Sequence, residues 1–243
     1  SGGVSRMAQS IWPGIRAIMN VAGVGQSHVS SDDLAFRMAP RLNAPGRMGD
    51  SLMGLRVLMA EKDREAGVLA NKVDAENLRR QSLERDILDE ALAMIGDQVD
   101  GRRVIFLASE NWHPGVLGIV ASRLVDQYHR PVMIAAIRDG IAVGSGRSID
   151  GFDLYGAMKK AADCFDRFGG HSHAAGFTLQ ESRLEELKEA LEIEAQVQLR
   201  PEDLISSITV DAELFFKDIT LDVIHQIRAL SPFGEGNPEP VFM

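Results

Sequence analysis

Hydrophobic and polar positions in the second half of the chain follow two alternating patterns. Short apolar runs predict buried strands at 102–109, 131–137, 141–148 and 173–179. Three- and four-residue spacings of apolar positions predict helices at 115–129, from Asp153 onward, and at 181–199. Strands that alternate with helices predict an α/β fold in which a mixed sheet carries helices on both faces.

A long helical pattern precedes this region. Leu52, Leu55 and Met59 begin an apolar stripe that continues to about residue 95. Between Glu61 and Glu65 the stripe is interrupted by charge. An unbroken helix would be about 65 Å long. A long helix that is polar in its middle is typical of a connector between two bodies.

The two ends of the chain give weaker signals. Residues 1–38 predict short helices, and 39–50 predict a loop because Pro40, Pro45 and Gly49 disfavour regular structure. Residues 208–214 have the pattern of a strand, and 221–230 that of a helix.

Composition and charge limit the possible functions. Of the 243 residues, 45% are hydrophobic and 25% are charged, which excludes wholesale disorder, collagen and a coiled-coil rod. The sequence has no long uninterrupted apolar run, so no membrane span is expected. The single cysteine, Cys164, favours a reducing, cytoplasmic setting. The net charge of −9 argues weakly against a nucleic-acid partner, although a local arginine groove binds phosphate regardless of net charge.

The strongest chemical signal is FGGHSHAAGF at 168–177. Gly169 and Gly170 permit positive φ and close approach of another group. His171 is then held at a bend, where its ring can donate to a phosphate oxygen or stabilise developing charge. Alternatively the segment is a tight turn in which His171 satisfies the backbone. A metal site shared with His173 is a third interpretation, but no further ligand is evident nearby.

A second signal is GSGRSIDG at 144–151, at the end of a predicted strand. Arg147 offers a bidentate fork to phosphate, with hydroxyls from Ser145 and Ser148 beside it. The alternative is a turn with a surface ion pair between Arg147 and Asp150.

Further candidates are spread along the chain. Pro114 and Gly115 mark a helix start, whose N–H groups favour an anion. His113 is a candidate to line that opening, whereas packing suits Trp112 better. Other basic or amide side chains either contact phosphate or are simply solvated: Arg41, Asn43, Arg47, Arg79 and Arg80. The sequence has no cluster of acidic or histidine residues that would hold two metal ions.

These motifs together resemble a known family. The stretch GSGRSIDGFDLYGAMKKAADCFDRFGGHSHAAGF closely resembles the DHH-associated domain of the DHH phosphoesterases, with its GGHxxAAG motif. The stretches APRLNAPGRMGD, NWHPGVLGIVASRLVDQYHRPVMI and SPFGEGNPEP are similar to the RecJ group of single-stranded-DNA-specific exonucleases. The similarity extends from about residue 12 to the C-terminus.

The resemblance implies an activity and an architecture. It implies a parent protein that degrades single-stranded DNA from the 5′ end by metal-dependent phosphodiester hydrolysis, in DNA repair and recombination. Its N-terminal DHH domain would bind two Mn²⁺ or Mg²⁺ ions. We expect no metal bound to this chain and no activity from it alone. The expected parts are a helical remnant and hinge loop of the catalytic domain (1–50), a long connector helix (51–98), the DHH-associated substrate-binding domain (99–200), and a trailing strand and helix leading into a truncated OB region (201–243).

The resemblance also implies residue roles. His171 would contact the scissile phosphate, with Gly169 and Gly170 across the cleft from the metals. Ser145, Arg147 and Ser148 would hold the DNA backbone. The groove that holds the DNA would also be lined by Arg41, Asn43 and Arg47. Pro45 departs from the alanine expected in that loop.

The expected partners are single-stranded DNA and the catalytic and OB domains of the same parent chain, with no membrane. Two other functions stay open. One is a DHH phosphodiesterase acting on short oligoribonucleotides or cyclic dinucleotides, against which the long connector and the PFGEGNPEP end argue. The other is a non-catalytic phosphate-binding module, which suits the acidic charge.

Overall fold

The computed structural model describes residues 2–25, 29–96, 101–234 and 236–243. The chain divides into two compact units, which are described separately. The first comprises residues 1–40, 57–70 and 207–243, and the second comprises 41–56 and 71–206. No helix within the described ranges combines the length and hydropathy needed to cross a membrane.

The helices and strands are as follows. The helices are α1 (Gly2–Met7), α2 (Pro13–Val21), α3 (Ala39–Met48), α4 (Met53–Met59), α5 (Asp63–Ile95), α6 (Pro114–Tyr128), α7 (Leu154–Lys160), α8 (Leu184–Gln198) and α9 (Leu221–Ala229). The strands are β1 (Ile105–Ser109), β2 (Val132–Arg138), β3 (Ile141–Arg147), β4 (Arg167–His171) and β5 (Ala174–Gln180).

The first unit is helical. The short helices predicted within 1–38 and the helix predicted at 221–230 are confirmed. Gly14 of α2 lies against the chain at Val57, where an added Cβ would stand 2.0 Å from the Val57 carbonyl oxygen. The strand predicted at 208–214 is wrong, because this segment contributes only an isolated bridge between Ala212 and Phe242. The Asp211 and Leu214 N–H groups donate to the carbonyl oxygens of Val241 and Met243, but this pairing is too short to form a strand.

The predicted loop at 39–50 is also wrong, since residues 39–48 form α3. Pro40 falls where a π-helical segment, Asp33–Met38, passes into α3, so the regular hydrogen-bond ladder is already interrupted there. Pro45 lies within the helix and is buried, and this packing offsets its missing hydrogen bond. Gly49, with φ +116°, ends the helix as glycine often does.

The helical pattern from Ser51 to about residue 95 is confirmed as helix, but it is divided in two. α4 ends at Met59, and α5 begins at Asp63. The break coincides with the charged stretch, and Asp63 and Glu65 lie in the first turn of α5, where carboxylates favour the helix N-terminus. The 33 residues of α5 span about 50 Å rather than 65 Å.

The second unit is built on a five-stranded sheet with the order β1-β2-β3-β5-β4. β1 and β2 are parallel and the other pairs are antiparallel, so the predicted mixed sheet is confirmed. One face packs against α6 and the C-terminal half of α5, with Leu117, Val120 and Leu124 buried. The opposite face packs against α7 and α8.

The strand ends arrange the loops that carry the candidate residues. Asp153 caps α7, with its carboxylate accepting from the Gly156 N–H at 2.9 Å. The helix ends at Lys160, earlier than its apolar pattern suggests. The glycine pair of FGGH lies within β4 instead of at a helix-to-strand turn.

Candidate nucleic-acid interface

Strands β4, β5 and β3 bring His171 and Arg147 into one cross-strand row. Ala174 of β5 pairs with His171 on one side and with Arg147 on the other. Directly opposed residues of antiparallel strands point to the same face of a sheet. The imidazole and the guanidinium therefore project from one face, with backbones about 10 Å apart at two strand spacings.

The neighbouring row on this face contains almost no side chains. Gly176 pairs with Gly169 on one side and with Ser145 on the other. An added Cβ at Gly169 would meet nothing within 4 Å, so the space above it is open. We call the surface formed by Gly169, Ala174 and Gly176 the shelf. It is flanked by Ser145 and Arg147 on β3 and by His171 on β4.

His171 is exposed at the end of β4, and its ring orientation is set by the turn. Its Nδ1 accepts a hydrogen bond from the His173 N–H at 3.3 Å, so the predicted contact with the backbone is present. A neutral ring that accepts at Nδ1 carries its proton on Nε2. Close approach requires glycine at Gly170, where an added Cβ would lie 2.2 Å from the Ala174 carbonyl oxygen. At Gly169 no such restriction exists.

A metal site does not fit the described part of the chain. His171 and His173 have ring centroids 6.4 Å apart. Among the described residues no group of three or more His, Cys, Asp or Glu side chains is arranged to hold a metal ion.

Arg147 is half-buried and fixed by its own strand. Its Nη1 donates to the Gly146 carbonyl oxygen at 2.7 Å and to Ser145 Oγ at 3.1 Å. Burial, followed by the charge of nearby Arg47, lowers the pKa of the Arg147 guanidinium, and both effects favour a bound anion beside it. The alternative ion pair with Asp150 is not among those formed by the described residues.

Ser148 is turned inward. Its hydroxyl donates to the Phe152 carbonyl oxygen at 2.9 Å, and its N–H donates to the His173 carbonyl oxygen at 3.0 Å. Ser145 Oγ, by contrast, accepts from Arg147 and donates a long hydrogen bond to the Ala175 carbonyl oxygen. The two serines of the motif therefore have different surroundings.

The predicted group in α3 is only partly brought together. Arg47 is exposed, and its Nη1 donates to the Gly115 carbonyl oxygen at 3.4 Å. Asn43 lies one turn earlier on the same side of α3. Arg41 points elsewhere and forms an ion pair with Asp74 at 2.7 Å.

The start of α6 lies between Arg47 and Arg147. An added Cβ at Gly115 would stand 2.0 Å from the Arg47 carbonyl oxygen. At Gly118 it would stand 2.8 Å from Arg147 Nη2. Gly115 thus permits the backbone of α3 to approach α6, and Gly118 permits the Arg147 guanidinium to do so.

His113 and Trp112 precede α6 and differ in role. Trp112 is fully buried, so its predicted packing role is confirmed. His113 Nδ1 accepts from the Gly115 N–H at 3.1 Å and caps the helix. Burial, then the charges of Arg138 and Arg79, lowers the pKa of His113 from its ordinary value of 6.5.

The arginines on the connector have different environments. Arg79 is exposed, with Glu76 3.7 Å away, whereas Arg80 is buried and bonded to Glu84 at 2.5 Å. Arg123 on α6, which sequence reasoning did not single out, contacts the same Glu84. An arginine on an amphipathic helix is usually solvated, so no sequence signal distinguished it.

Residues 100–196 match the model of the DHHA1 domain, and residues 210–243 match that of the RecJ OB domain. Two segments of the chain therefore resemble a DHHA1 domain and, after it, a RecJ OB domain.

Individual relatives of the chain are RecJ exonucleases. The single-stranded-DNA-specific exonuclease RecJ of Bacillus subtilis is 37% identical over 98% of this chain and 30% of its own length. That of Escherichia coli is 34% identical over 99% of this chain and 43% of its own length. The structure of Thermus thermophilus RecJ with Mg²⁺ matches with a TM-score of 0.88 and 33% identity, covering 99% of this chain and 37% of that one. A structure of the same protein with Mn²⁺ gives the same score and identity.

The chain is thus similar along its whole length to RecJ, and the resemblance predicted from the sequence is confirmed. The predicted metals, Mn²⁺ or Mg²⁺, are those bound in the Thermus structures. The chain spans less than half the length of the curated relatives it matches, between 30% and 44%.

Proposed function

We propose that this chain forms the substrate-binding part of a RecJ-type exonuclease, which degrades single-stranded DNA in the 5′→3′ direction during repair and recombination in the cytoplasm. The observation that carries the proposal is the shared row of Arg147 and His171 beside the open shelf. A guanidinium recognises phosphate through two parallel N–H donors. The glycines and alanine of the shelf allow a sugar-phosphate backbone to approach the sheet closely.

In this proposal the two sides of the shelf act differently. Arg147, oriented by Ser145, binds a backbone phosphate together with Arg47. His171 donates from Nε2 to an oxygen of the scissile phosphate, where negative charge develops during hydrolysis. The hydrogen bond from the His173 N–H to Nδ1 fixes the ring in the tautomer that this donation needs.

The parent protein's catalytic domain would bind the Mn²⁺ or Mg²⁺ ions, which supply the activated water when bound. We expect this chain alone to bind single-stranded DNA without cleaving it, because its described residues form no metal site. Prolonged incubation with labelled single-stranded DNA and Mn²⁺ checks this. Digestion by the pure chain that His171→Ala abolishes would overturn the expectation.

Binding itself is tested by fluorescence anisotropy with a labelled oligothymidylate at several salt concentrations. Arg147→Lys keeps the charge but loses the bidentate fork, so it should raise Kd about threefold to tenfold. The matched control is Arg85→Lys, an exposed arginine of α5. Equal affinity for all three proteins would count against the proposed site.

A further inference from the structure

The face of the sheet that carries the shelf continues beyond it as an uncovered surface. Alternate residues of β5, namely Ala175, Phe177 and Leu179, are buried in the apolar layer against α7 and α8. The residues between them therefore point to the opposite face. On that opposite face, α5 and α6 bury side chains of β1 and β2. The same face of β5 and β4, with the adjoining part of β3, is left open to solvent.

A row of three side chains crosses this open surface beyond the shelf. Thr178 of β5 pairs with Val143 of β3 on one side and with Arg167 of β4 on the other. Val143 lies four residues before Arg147 on the same strand, so the two backbones are about 13 Å apart. The row is therefore on the same face as Arg147 and is separated from it by the glycine row of the shelf.

Apolar side chains form part of this surface. Ile141 and Val143 lie two residues apart on β3 and are 39% and 41% exposed. Because β3 lies between β2 and β5, its backbone groups are already paired and only its side chains are available to a ligand. A flat sheet face with exposed apolar side chains is a surface on which the unstacked bases of a single strand pack.

Positive charge accompanies these apolar side chains. The residues that β3, β5 and β4 direct to this face include Arg147, Arg167 and His171 but no aspartate or glutamate. The chain as a whole carries a net charge of −9, so this face differs from the average surface. Arg167 is exposed, and none of the ion pairs formed within the described ranges includes it. The carboxylate of Asp166, just before β4, accepts from Gln180 Nε2 at 3.1 Å and marks the border of the surface.

We propose that this surface binds the continuation of a single strand whose phosphate is held at Arg147. We call the surface formed by Ile141, Val143, Thr178 and Arg167 the platform. Nucleobases pack on Ile141 and Val143, while Arg167 binds a phosphate of the same strand. A ligand with flat apolar groups and regularly spaced negative charge matches the platform, which has apolar and cationic side chains side by side. The inference rests on the proposed function, since it lengthens the same site.

The phosphate contact is tested with Arg167→Ala, by anisotropy with a labelled oligothymidylate over a range of salt. Loss of one phosphate contact should raise Kd about threefold to tenfold and reduce the salt slope by about 0.7. A strand of equal length that lacks bases should show the same loss, because the contact is to the backbone. Arg85→Ala, exposed on α5, is the matched control and should change neither quantity.

The base contact is tested with Val143→Phe, which offers a larger flat surface for stacking. It should lower Kd for the oligothymidylate by about fivefold or more and leave the affinity for the strand without bases unchanged. Val197→Phe, at a position of α8 that is 73% exposed, is the matched control. Thermal melting checks that each variant folds, which is expected because the substituted side chains are all exposed.

The outcomes separate the platform from the shelf. The absence of either effect overturns the platform, and so does an equal gain for the strand without bases in Val143→Phe. A second copy of this chain is the alternative occupant. Sedimentation velocity would then show a dimer that Val143→Phe or Arg167→Ala alters while DNA affinity stays the same, and the platform would again be wrong. In all these cases Arg147→Lys still reports on the shelf, and the proposed function itself fails only if that variant also has no effect.

Discussion

Arg147 and His171 are separated by a single residue, Ala174, in one row across three strands. Their spacing is therefore determined by backbone hydrogen bonds instead of by flexible loops. A slip of β5 by one residue would turn Ala174 to the other face and bury polar groups in the apolar layer around Phe177. The register that keeps the core apolar is the one that places both candidate side chains on the same side.

The two glycines before His171 should respond differently to substitution. Gly170→Ala brings Cβ within 2.2 Å of the Ala174 carbonyl oxygen, a backbone atom that cannot move without parting β4 from β5. We expect it to lower the free energy of unfolding by at least about 2 kcal/mol. Gly169→Ala meets nothing within 4 Å and should stay within about 0.5 kcal/mol. Urea unfolding of both variants checks this, and equal losses would contradict it.

Gly118→Ala should weaken DNA binding without weakening the fold. The added Cβ would lie 2.8 Å from Arg147 Nη2 and 3.2 Å from Ser145 Oγ, both of which are side-chain atoms. Arg147 would have to move, while alanine favours the helix by up to about 1 kcal/mol. We expect an unchanged or higher melting temperature together with a higher Kd for single-stranded DNA. Unaltered affinity would show that the position of Arg147 is not important for binding.

The two serines of the GSGRS segment form a matched pair. Ser148→Ala removes the hydrogen bond to the Phe152 carbonyl oxygen, so it should cost about 1 kcal/mol of stability and leave DNA affinity unchanged. Ser145→Ala removes the partner of Arg147 and should reduce affinity with little loss of stability. Melting and anisotropy on both variants measure the contrast. A reversed pattern would mean that Ser148, not Ser145, faces the DNA.

His113 should make stability depend on pH. Its pKa is lowered in the folded chain, so between that value and about 6.5 the unfolded chain binds more protons. Stability therefore rises with pH through this window and is lost as pH falls below about 6.5. His113→Asn keeps an acceptor for the Gly115 N–H but does not titrate.

Chemical unfolding at neutral pH and at about pH 5.5 tests this dependence, because the wild-type chain should lose more stability than His113→Asn over that interval. Nitrogen NMR of the imidazole provides a direct check, with the neutral Nε2–H tautomer expected. An equal loss in the two proteins, or a charged ring at neutral pH, would contradict the prediction.

Local sequence patterns predicted most of the strands and helices of the second unit. The apolar runs of β1, β2, β3 and β5 and the spacing in α6 and α8 reflect burial against neighbours, and burial follows directly from side-chain chemistry. The GGHxxAAG and SGRS motifs predicted Arg147 and His171 as site residues, and both residues lie at strand ends. The charged stretch from Glu61 to Glu65 indicated the break before Asp63. The apolar stripe on either side of it nevertheless predicted a single helix.

Tertiary structure decided the rest. Residues 39–48 form a helix despite two prolines because packing around Ala44 and Pro45 outweighs local preference. Residues 208–214 alternate like a strand, but their backbone hydrogen bonds with residues 241–243 amount to an isolated bridge and not to a strand. Most of all, the contact of Glu84 with both Arg80 and Arg123 depends on how α5 packs on α6. Spacing along the chain reports which face of a helix is apolar, but not which charged side chain a neighbouring helix brings to it.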